Sequence, residues 1–375
     1  MKLAIVVPGG LHPSGQEQVV PSWLALFERL AQSHEVHAFA LKHLARPQTY
    51  SLRGLAVHDL GRPSAPFGLT RRAQERELSR ALERYGPFDL IHGFHADPAG
   101  QLAARAGRRL RIPSVVTCDS GEFVSMPSIA YGSQRTARGR RAVTEACTLA
   151  SRVHVCTNFM AGLAAAQGLT SAIIPLTSVD SSAAAIAQPR LDPDTFRIVQ
   201  VASLSRVKNQ RLLIDALPIL RATVNAHVDL IGEDILHGEL QTHAANTGVE
   251  AHVTFHGFLP QPGVLEIVSR SDLYVQTSLH EAAGVSVLEA AAAGVPAVGT
   301  PAGYVADWSP TMAMAIGDAT PQSLADAIET LHRDAGRRRS MAALARAFSI
   351  AHDASWSAAE FDQLYRQLRG TRRTY

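Results

Sequence analysis

Short apolar runs rich in Val, Ile, Leu and Ala alternate along the chain with longer segments in which apolar residues recur every three to four positions. In the first half LAIVVPG (3–9), EVHAFAL (35–41), LAVHDL (55–60), DLIHGF (89–94), SVVTCDS (114–120), RVHVCTN (152–158) and SAIIPL (171–176) read as strands. An amphipathic stretch at 17–33 and a charged one at 69–85 are among the helical patterns that separate them. Runs that stay apolar instead of alternating suit strands buried on both faces, so the pattern predicts parallel sheets covered by helices. After DSSAAAIAQPRLDPD (180–194), which reads as a linker, the rhythm restarts. FRIVQVAS (196–203) leads to a helix from about Asn209; AHVDLIG (226–232), HVTFHG (252–257), DLYVQT (272–277) and PAVGT (296–300) are further strands, and the tail from 321 is helical. The expected fold class is therefore α/β, with two Rossmann-like, doubly wound domains over 1–182 and 190–355. A ligand is expected in a cleft at the carboxyl ends of their strands.

Composition narrows the class without naming an activity. A length of 375 residues suits two cores. At 46% hydrophobic and 18% charged residues, the chain reads as a soluble globular enzyme and not as a disordered one. No apolar run is long enough to span a bilayer, and MKLAIVVPGG reads as a first core strand rather than a signal peptide. Cys118, Cys147 and Cys156 lack CxxC spacing, which predicts neither a disulfide framework nor a zinc site and makes a reducing cytoplasm the expected location. The net charge of +3 is unevenly spread: residues 1–185 hold 20 Lys and Arg against 13 Asp and Glu, and the rest hold 16 against 20. GRRLR (107–111) and RTARGRR (135–141) concentrate the excess. Each cluster suits a solvated surface; together they would favour an anionic acceptor or peripheral contact with the inner face of a membrane. No motif or interleaved aromatics support nucleic acid.

The most informative stretch is LHEAAGVSVLEAAAAGVP (279–296). Its first residues read as the loop leaving the strand DLYVQT, and VSVLEAAAAG as a helix from about Val285 that stops at Gly294. Glu281 then lies at the rim where ligands bind. The amides of Ala283, Gly284 and Val285 form a helix N-terminus suited to an anion, and Glu289 lies about one turn in, where a carboxylate can hold vicinal hydroxyls. Two carboxylates around an anion hole suit a nucleotide sugar. Complementing the helix dipole is the competing account of either glutamate alone.

These residues resemble a known family. Glu281-x7-Glu289 is similar to the E-x7-E signature of retaining glycosyltransferases of the GT-B fold, specifically glycosyltransferase family 4, and the resemblance covers essentially the whole chain. VQVASLSRVKNQRLLIDAL (199–217) resembles the family's phosphate-binding strand–loop–helix, VDLIGED (228–234) its GdG strand, and VTFHGFLP (253–260) its loop near the base. SWSAAEFDQLYRQL (355–368) resembles the closing helix, so 356–375 would return to an acceptor-binding N-terminal domain while 190–355 binds the donor. The resemblance implies that Lys208 neutralises the donor diphosphate, that Glu289 holds the ribose, and that Glu281 lies beside the transferred sugar. The amides of Ala283, Gly284 and Val285 would meet sugar hydroxyls and phosphate. It implies that Gly15, in SGQE (14–17), approaches the donor phosphate or the acceptor. No metal or cofactor is implied, only a nucleoside diphosphate sugar as co-substrate, and the leaving phosphate would deprotonate the acceptor.

The chain departs from the family at three places. Ser203 stands where the family has an arginine, which makes Arg206 the candidate for the second positive charge. Asp119, in VVTCDSGEF, stands where a histidine is usual, and either contacts the donor sugar catalytically or is a surface carboxylate. PLTSVD (175–180) lacks the glycine of the usual turn. Among other candidates, His92 and His95 in HGFH read as polar rim positions near the acceptor rather than metal ligands. Trp356 reads as a packing anchor of the closing helix, and His280 as a sugar contact or a loop cap. Two rival classes follow: a nucleotide-sugar-binding partner protein with reduced catalysis, and a nicotinamide dehydrogenase. PGGLHPSG instead of GxGxxG after the first strand argues against the second.

Overall fold

The computed structural model describes residues 1–62, 70–182 and 194–370. Most of the linker expected over 180–194, and the last five residues of the helix expected over 356–375, lie outside them. The chain divides into two compact units, one formed by Met1–Ser178 together with the chain from Ala354 on, the other by Val179–Asp353.

The first unit is built on β1 (Lys2–Val7), β2 (Glu35–Ala40), β3 (Gln48–Leu52), β4 (Leu55–Asp59), β5 (Leu90–Phe94), β6 (Ser114–Cys118), β7 (Arg152–Val155) and β8 (Ser171–Ile173). They form one sheet in the order β3-β4-β2-β1-β5-β6-β7-β8. Every neighbouring pair is parallel except β3–β4. The order reverses between β1 and β5, so the loops after those strands diverge and leave a crevice. Leu3 to Val7 are fully buried, as expected of a central strand covered on both faces.

β3 is absent from the hydrophobic pattern for a physical reason. QTYSL is an antiparallel edge strand, mostly exposed, and it never needed an apolar run. The first helix spans Pro21–Ala31 rather than starting near 17. Proline at the first helical position has no N–H to satisfy and a φ already suited to the helix, while Gln18 has a φ of +51°.

The last helix, Ala354–Gly370, belongs to the first unit and buries Phe361 and Tyr365 completely. Tyr365 is a buried polar anchor of this helix; Trp356, expected as a packing anchor, is only half-buried because the inward face runs through Ser357, Phe361, Leu364, Tyr365 and Leu368. The expectation for His92 is corrected in the same place. It is no rim residue but lies fully buried in β5, facing that helix. Tyr365 Oη is 2.6 Å from His92 Nδ1, His92 Nε2 is 2.7 Å from Thr117 Oγ1, and Thr117 Oγ1 is 2.9 Å from His154 Nδ1. His154 Nε2–H donates to the Ile174 carbonyl at 2.8 Å. One direction of donation satisfies every member when both rings are neutral. Burial enforces that state, holding His92 well below the usual histidine range and His154 at about 4.

The second unit carries β9 (Phe196–Val201), β10 (Ala226–Ile231), β11 (Val253–Gly257), β12 (Leu273–Gln276), β13 (Ala297–Gly299) and β14 (Ala313–Ala315). The order is β11-β10-β9-β12-β13-β14, parallel throughout. The reversal lies between β9 and β12, strands 72 residues apart from the end of one to the start of the other when counted from Val201 to Leu273. A core of Ile198, Leu213, Leu217, Val228, Leu230, Val275 and their neighbours packs beneath this crevice and holds the loops above it. The three cysteines, all in the first unit, are buried thiols outside any disulfide.

Candidate functional site

Two loops leave the switch point of the second unit. One follows β9 and reaches the helix Gln210–Arg221; the other follows β12 and reaches the helix Val285–Ala292. The sheet order makes them neighbours, and hydrogen bonds tie them together. Leu279 N–H donates to the Val207 carbonyl at 2.8 Å, and Thr277 Oγ1 donates to the Lys208 carbonyl at 2.9 Å. On that support Lys208 Nζ lies 2.5 Å from Glu281 Oε1, which also accepts from Ser278 Oγ at 2.7 Å. The pair is partly accessible, with 26% of the lysine and 12% of the glutamate side chain exposed. A diphosphate arriving here would draw the ammonium from a carboxylate already fixed by a second donor.

The helix Val285–Ala292 opens beside this pair. Gly284 caps it at φ +80°, and a Cβ there would come 2.7 Å from Gln276 Oε1. Gln276 is itself buried, with its Nε2 donating to the Ala302 carbonyl at 2.9 Å. Only glycine fits both the backbone angle and the neighbour. Val287 N–H turns back to the Gly284 carbonyl at 2.8 Å, while the amides that open the helix before it precede the repeating helical hydrogen bonds, so this end favours an anion. One turn in, Glu289 Oε1 accepts from Gln261 Nε2 at 3.2 Å. His280 is buried within the loop. Arg206 lies on the loop with Lys208, but its exposed guanidinium bonds both oxygens of Glu239 at 3.0 Å.

Residues that the sequence did not single out hold this site in shape. Ser278 orients Glu281, and Thr300 Oγ1 donates to the Ser278 carbonyl at 2.6 Å. Tyr304 N–H donates to the Ala283 carbonyl at 2.8 Å, across the closely packed Gly303. The signal available in advance was the second glycine turn, TPAGY (300–304), after the strand that follows β12.

In the first unit Asp119 follows β6 and is not a surface carboxylate. Trp23 Nε1–H donates to its Oδ2 at 2.7 Å, and His95 Nε2 stands 3.5 Å from its Oδ1, which makes no hydrogen bond. Glu122, also buried, accepts from the Ser120 and Ala96 amides at 2.8 and 3.3 Å. Burial raises the Asp119 and Glu122 pKa values, with His95 opposing both. His95 adopts φ +62°, in the half of backbone space rare for a non-glycine residue. Such strain collects at functional sites. Gly15 lies in the loop before the first helix and is buried, with Leu52 Cδ1 3.2 Å from where its Cβ would be.

A raised carboxylate pKa destabilises the fold once pH climbs through it and costs nothing below the unfolded value, about 3.9. Asp119→Asn keeps the Trp23 bond and removes the charge. It is expected to stabilise the protein at pH 7, to lose that advantage towards pH 4, and to lower turnover about tenfold or more. Thermal melts across that pH range beside a transfer assay check this. Full turnover in the variant would make Asp119 structural only.

The comparisons with known proteins bear on the family and the fold. The model of the family "Glycosyl transferases group 1" matches residues 181–348, and that of the "Glycosyl transferase 4-like domain" matches residues 15–177. A protein named as a candidate glycosyltransferase, EpsD of Bacillus subtilis (strain 168), is 35% identical over 108 residues, 28% of each chain. The N-acetyl-alpha-D-glucosaminyl L-malate synthase of Bacillus anthracis is 29% identical over 153 residues, 38% of this chain and 39% of that one. The chain thus spans well under half the length of the curated relatives it matches. Among solved structures, sucrose-phosphate synthase from Thermosynechococcus elongatus superposes with a TM-score of 0.83 at 18% identity, over 99% of this chain and 100% of that one. Anabaena Alr3699/HepE, solved in complex with UDP-glucose, gives 0.75 at 18% identity over 97% and 99%. These likenesses extend along both units and establish the fold as GT-B. With a family model on each unit, the chain belongs to the group 1 glycosyltransferases, its first domain of the glycosyltransferase 4-like kind.

Proposed function

We propose that the enzyme is a retaining, metal-independent hexosyltransferase using a uridine- or guanosine-diphosphate sugar and an acceptor hydroxyl. The observation that carries the reading is the 2.5 Å pair of Lys208 and Glu281 at the switch point, beside the glycine-capped helix that holds Glu289. Lys208 and the helix amides would take the negative charge that grows on the leaving diphosphate, which is the largest single contribution a preorganised site can make. Glu289 would hold the ribose and Glu281 the sugar.

The bond from the anomeric carbon to the phosphate oxygen breaks, and the electron pair leaves with the nucleoside diphosphate. The acceptor oxygen bonds to the same face of that carbon, and its proton passes to the phosphate oxygen just released. This route suits the site, because Glu281 is engaged by Lys208 and Ser278 rather than poised as a nucleophile. That Alr3699/HepE was solved with UDP-glucose supports the donor class. Among the described residues no helix is long and apolar enough to cross a membrane. We place the work of the enzyme in the cytoplasm, with the basic first domain as the face for any peripheral membrane contact.

A thermal-shift panel of uridine, guanosine and adenosine diphosphate sugars tests the donor site. At about 100 times its dissociation constant the right donor should add roughly 2.7 kcal/mol of stability, and Glu289→Ala should abolish the shift. No shift with any nucleotide would overturn the reading.

A further inference from the structure

The switch point of the first unit carries a pocket of its own, lined by basic side chains. A pocket of about 460 Å³ lies elsewhere on its helices, but the one at this crevice, about 430 Å³, sits where β1, β2 and β5 end. Its wall includes Gly9 and Gly10 after β1, Lys42 and His43 after β2, Arg62 after β4 and His95 after β5. Among the described residues no carboxylate lines it. Neither Lys42 nor Arg62 is ion-paired among the described residues, and His43 Nε2 is buried without a hydrogen bond. Lys42 and Arg62 reach water, but the buried His43 Nε2 between them lacks a partner, and an anion seated there would meet all three groups.

The loops that carry these groups are held in place. Buried Asp59 accepts from the Leu44 amide at 3.1 Å and from the Gly61 amide at 2.8 Å, one oxygen to each loop. Its oxygens are thereby bonded to backbone; its charge still acts on His43, while Lys42 and Arg62 are left for a ligand. Trp23 forms another wall and donates to Asp119, so the pocket adjoins the strained His95 and Asp119.

We infer that this pocket is an anion subsite for the acceptor, and that the acceptor carries a phosphate or carboxylate seated on Lys42, His43 and Arg62. The inference rests on the transferase reading above and adds the class of acceptor to it. A fixed anion would orient the acceptor so that one hydroxyl, and not its neighbours, is presented for transfer.

The test is calorimetric titration at pH 7 and constant ionic strength with sodium phosphate, sodium succinate and sodium chloride. It is done in the Lys208→Ala background, so that the donor site contributes least. Saturable binding of phosphate or of succinate above chloride, weakened about tenfold or more by Lys42→Ala with Arg62→Ala, is the expected result, and the anion that binds identifies the group. Both side chains are exposed, and unchanged melting of the double variant would show that the fold is intact. Binding no better than chloride, or binding indifferent to the double variant, overturns the inference. The donor panel run in parallel separates the two readings. A donor shift without anion binding sinks only the acceptor subsite, and anion binding without any donor shift leaves a site that serves no transfer and sinks this assignment too.

Discussion

Lys208→Ala is expected to lower kcat by about 10²–10³-fold, the loss seen when one preorganised donor to a developing oxyanion is removed. Glu281→Ala should fall in the same range, but the two losses should not add. Lys208 Nζ and Glu281 Oε1 are 2.5 Å apart, so each replacement strips the other of its partner. In Lys208→Ala the largely buried Glu281 keeps Ser278 and loses its countercharge. Its carboxylate would then repel the diphosphate that Lys208 should attract, so donor affinity should weaken along with kcat. In Glu281→Ala the lysine is freed for phosphate, so donor binding should hold or tighten while kcat falls, since the sugar loses its orientation. Single-turnover rates at saturating donor, with donor affinity measured separately, distinguish the two. Transfer within threefold of the parent in both variants would remove this pair from the mechanism.

Gly303→Ala is expected to be the most damaging substitution of a single small residue near the site. A Cβ at Gly303 would stand 2.2 Å from the Ala283 carbonyl oxygen and 3.0 Å from Glu281 Cβ, at a φ of +53°. No rotamer relieves a contact made by Cβ itself, so backbone must move. A left-handed angle costs a non-glycine residue about 1–2 kcal/mol, and overpacking about 1–3 kcal/mol more. A loss of ~2–5 kcal/mol should lower the melting temperature by roughly 5–20 °C. Activity should fall further than stability does. The carbonyl that must move belongs to the loop between Glu281 and the helix, and Tyr304 is bonded to it. Gly317→Ala, with nothing within 4 Å of the added carbon, is the control and should change neither property. Melting within 2 °C of the parent and normal turnover in Gly303→Ala would mean that the loop is looser than its packing indicates.

Much of the second-unit site could be read in advance because its parts are local. Gly284, the run VSVLEAAAAG and the strand DLYVQT are consecutive, so helix start, glycine cap and loop follow from the order of residues alone. Elements that bury both faces were legible for the same reason; apolar residues predominate in β9, β10 and β12 without a strict alternation. The half-exposed edge strand β3 was not, since it packs too little apolar surface to leave a period. His92 and His95 show the limit at single residues. They are three positions apart in one motif, yet one lies fully buried against Tyr365 and the other lines an accessible pocket. Strand alternation and the end of β5 separate them, and neither histidine carries that information itself.

The sequence by itself determined the two α/β repeats, their parallel strands and the loops in which charged residues would be exposed, because periodicity, capping and glycine act over a few residues. Which loops meet was decided only by the tertiary structure. Lys208 and Glu281 are 73 residues apart, and they touch because β9 and β12 are neighbours in the sheet. Trp23 reaches Asp119 across 96 residues, and Tyr365 reaches His92 across 273. Strand order is set by how all the helices and strands share their buried surface, a property of the whole sheet. The residues proposed for donor and acceptor come together at the points where that order reverses.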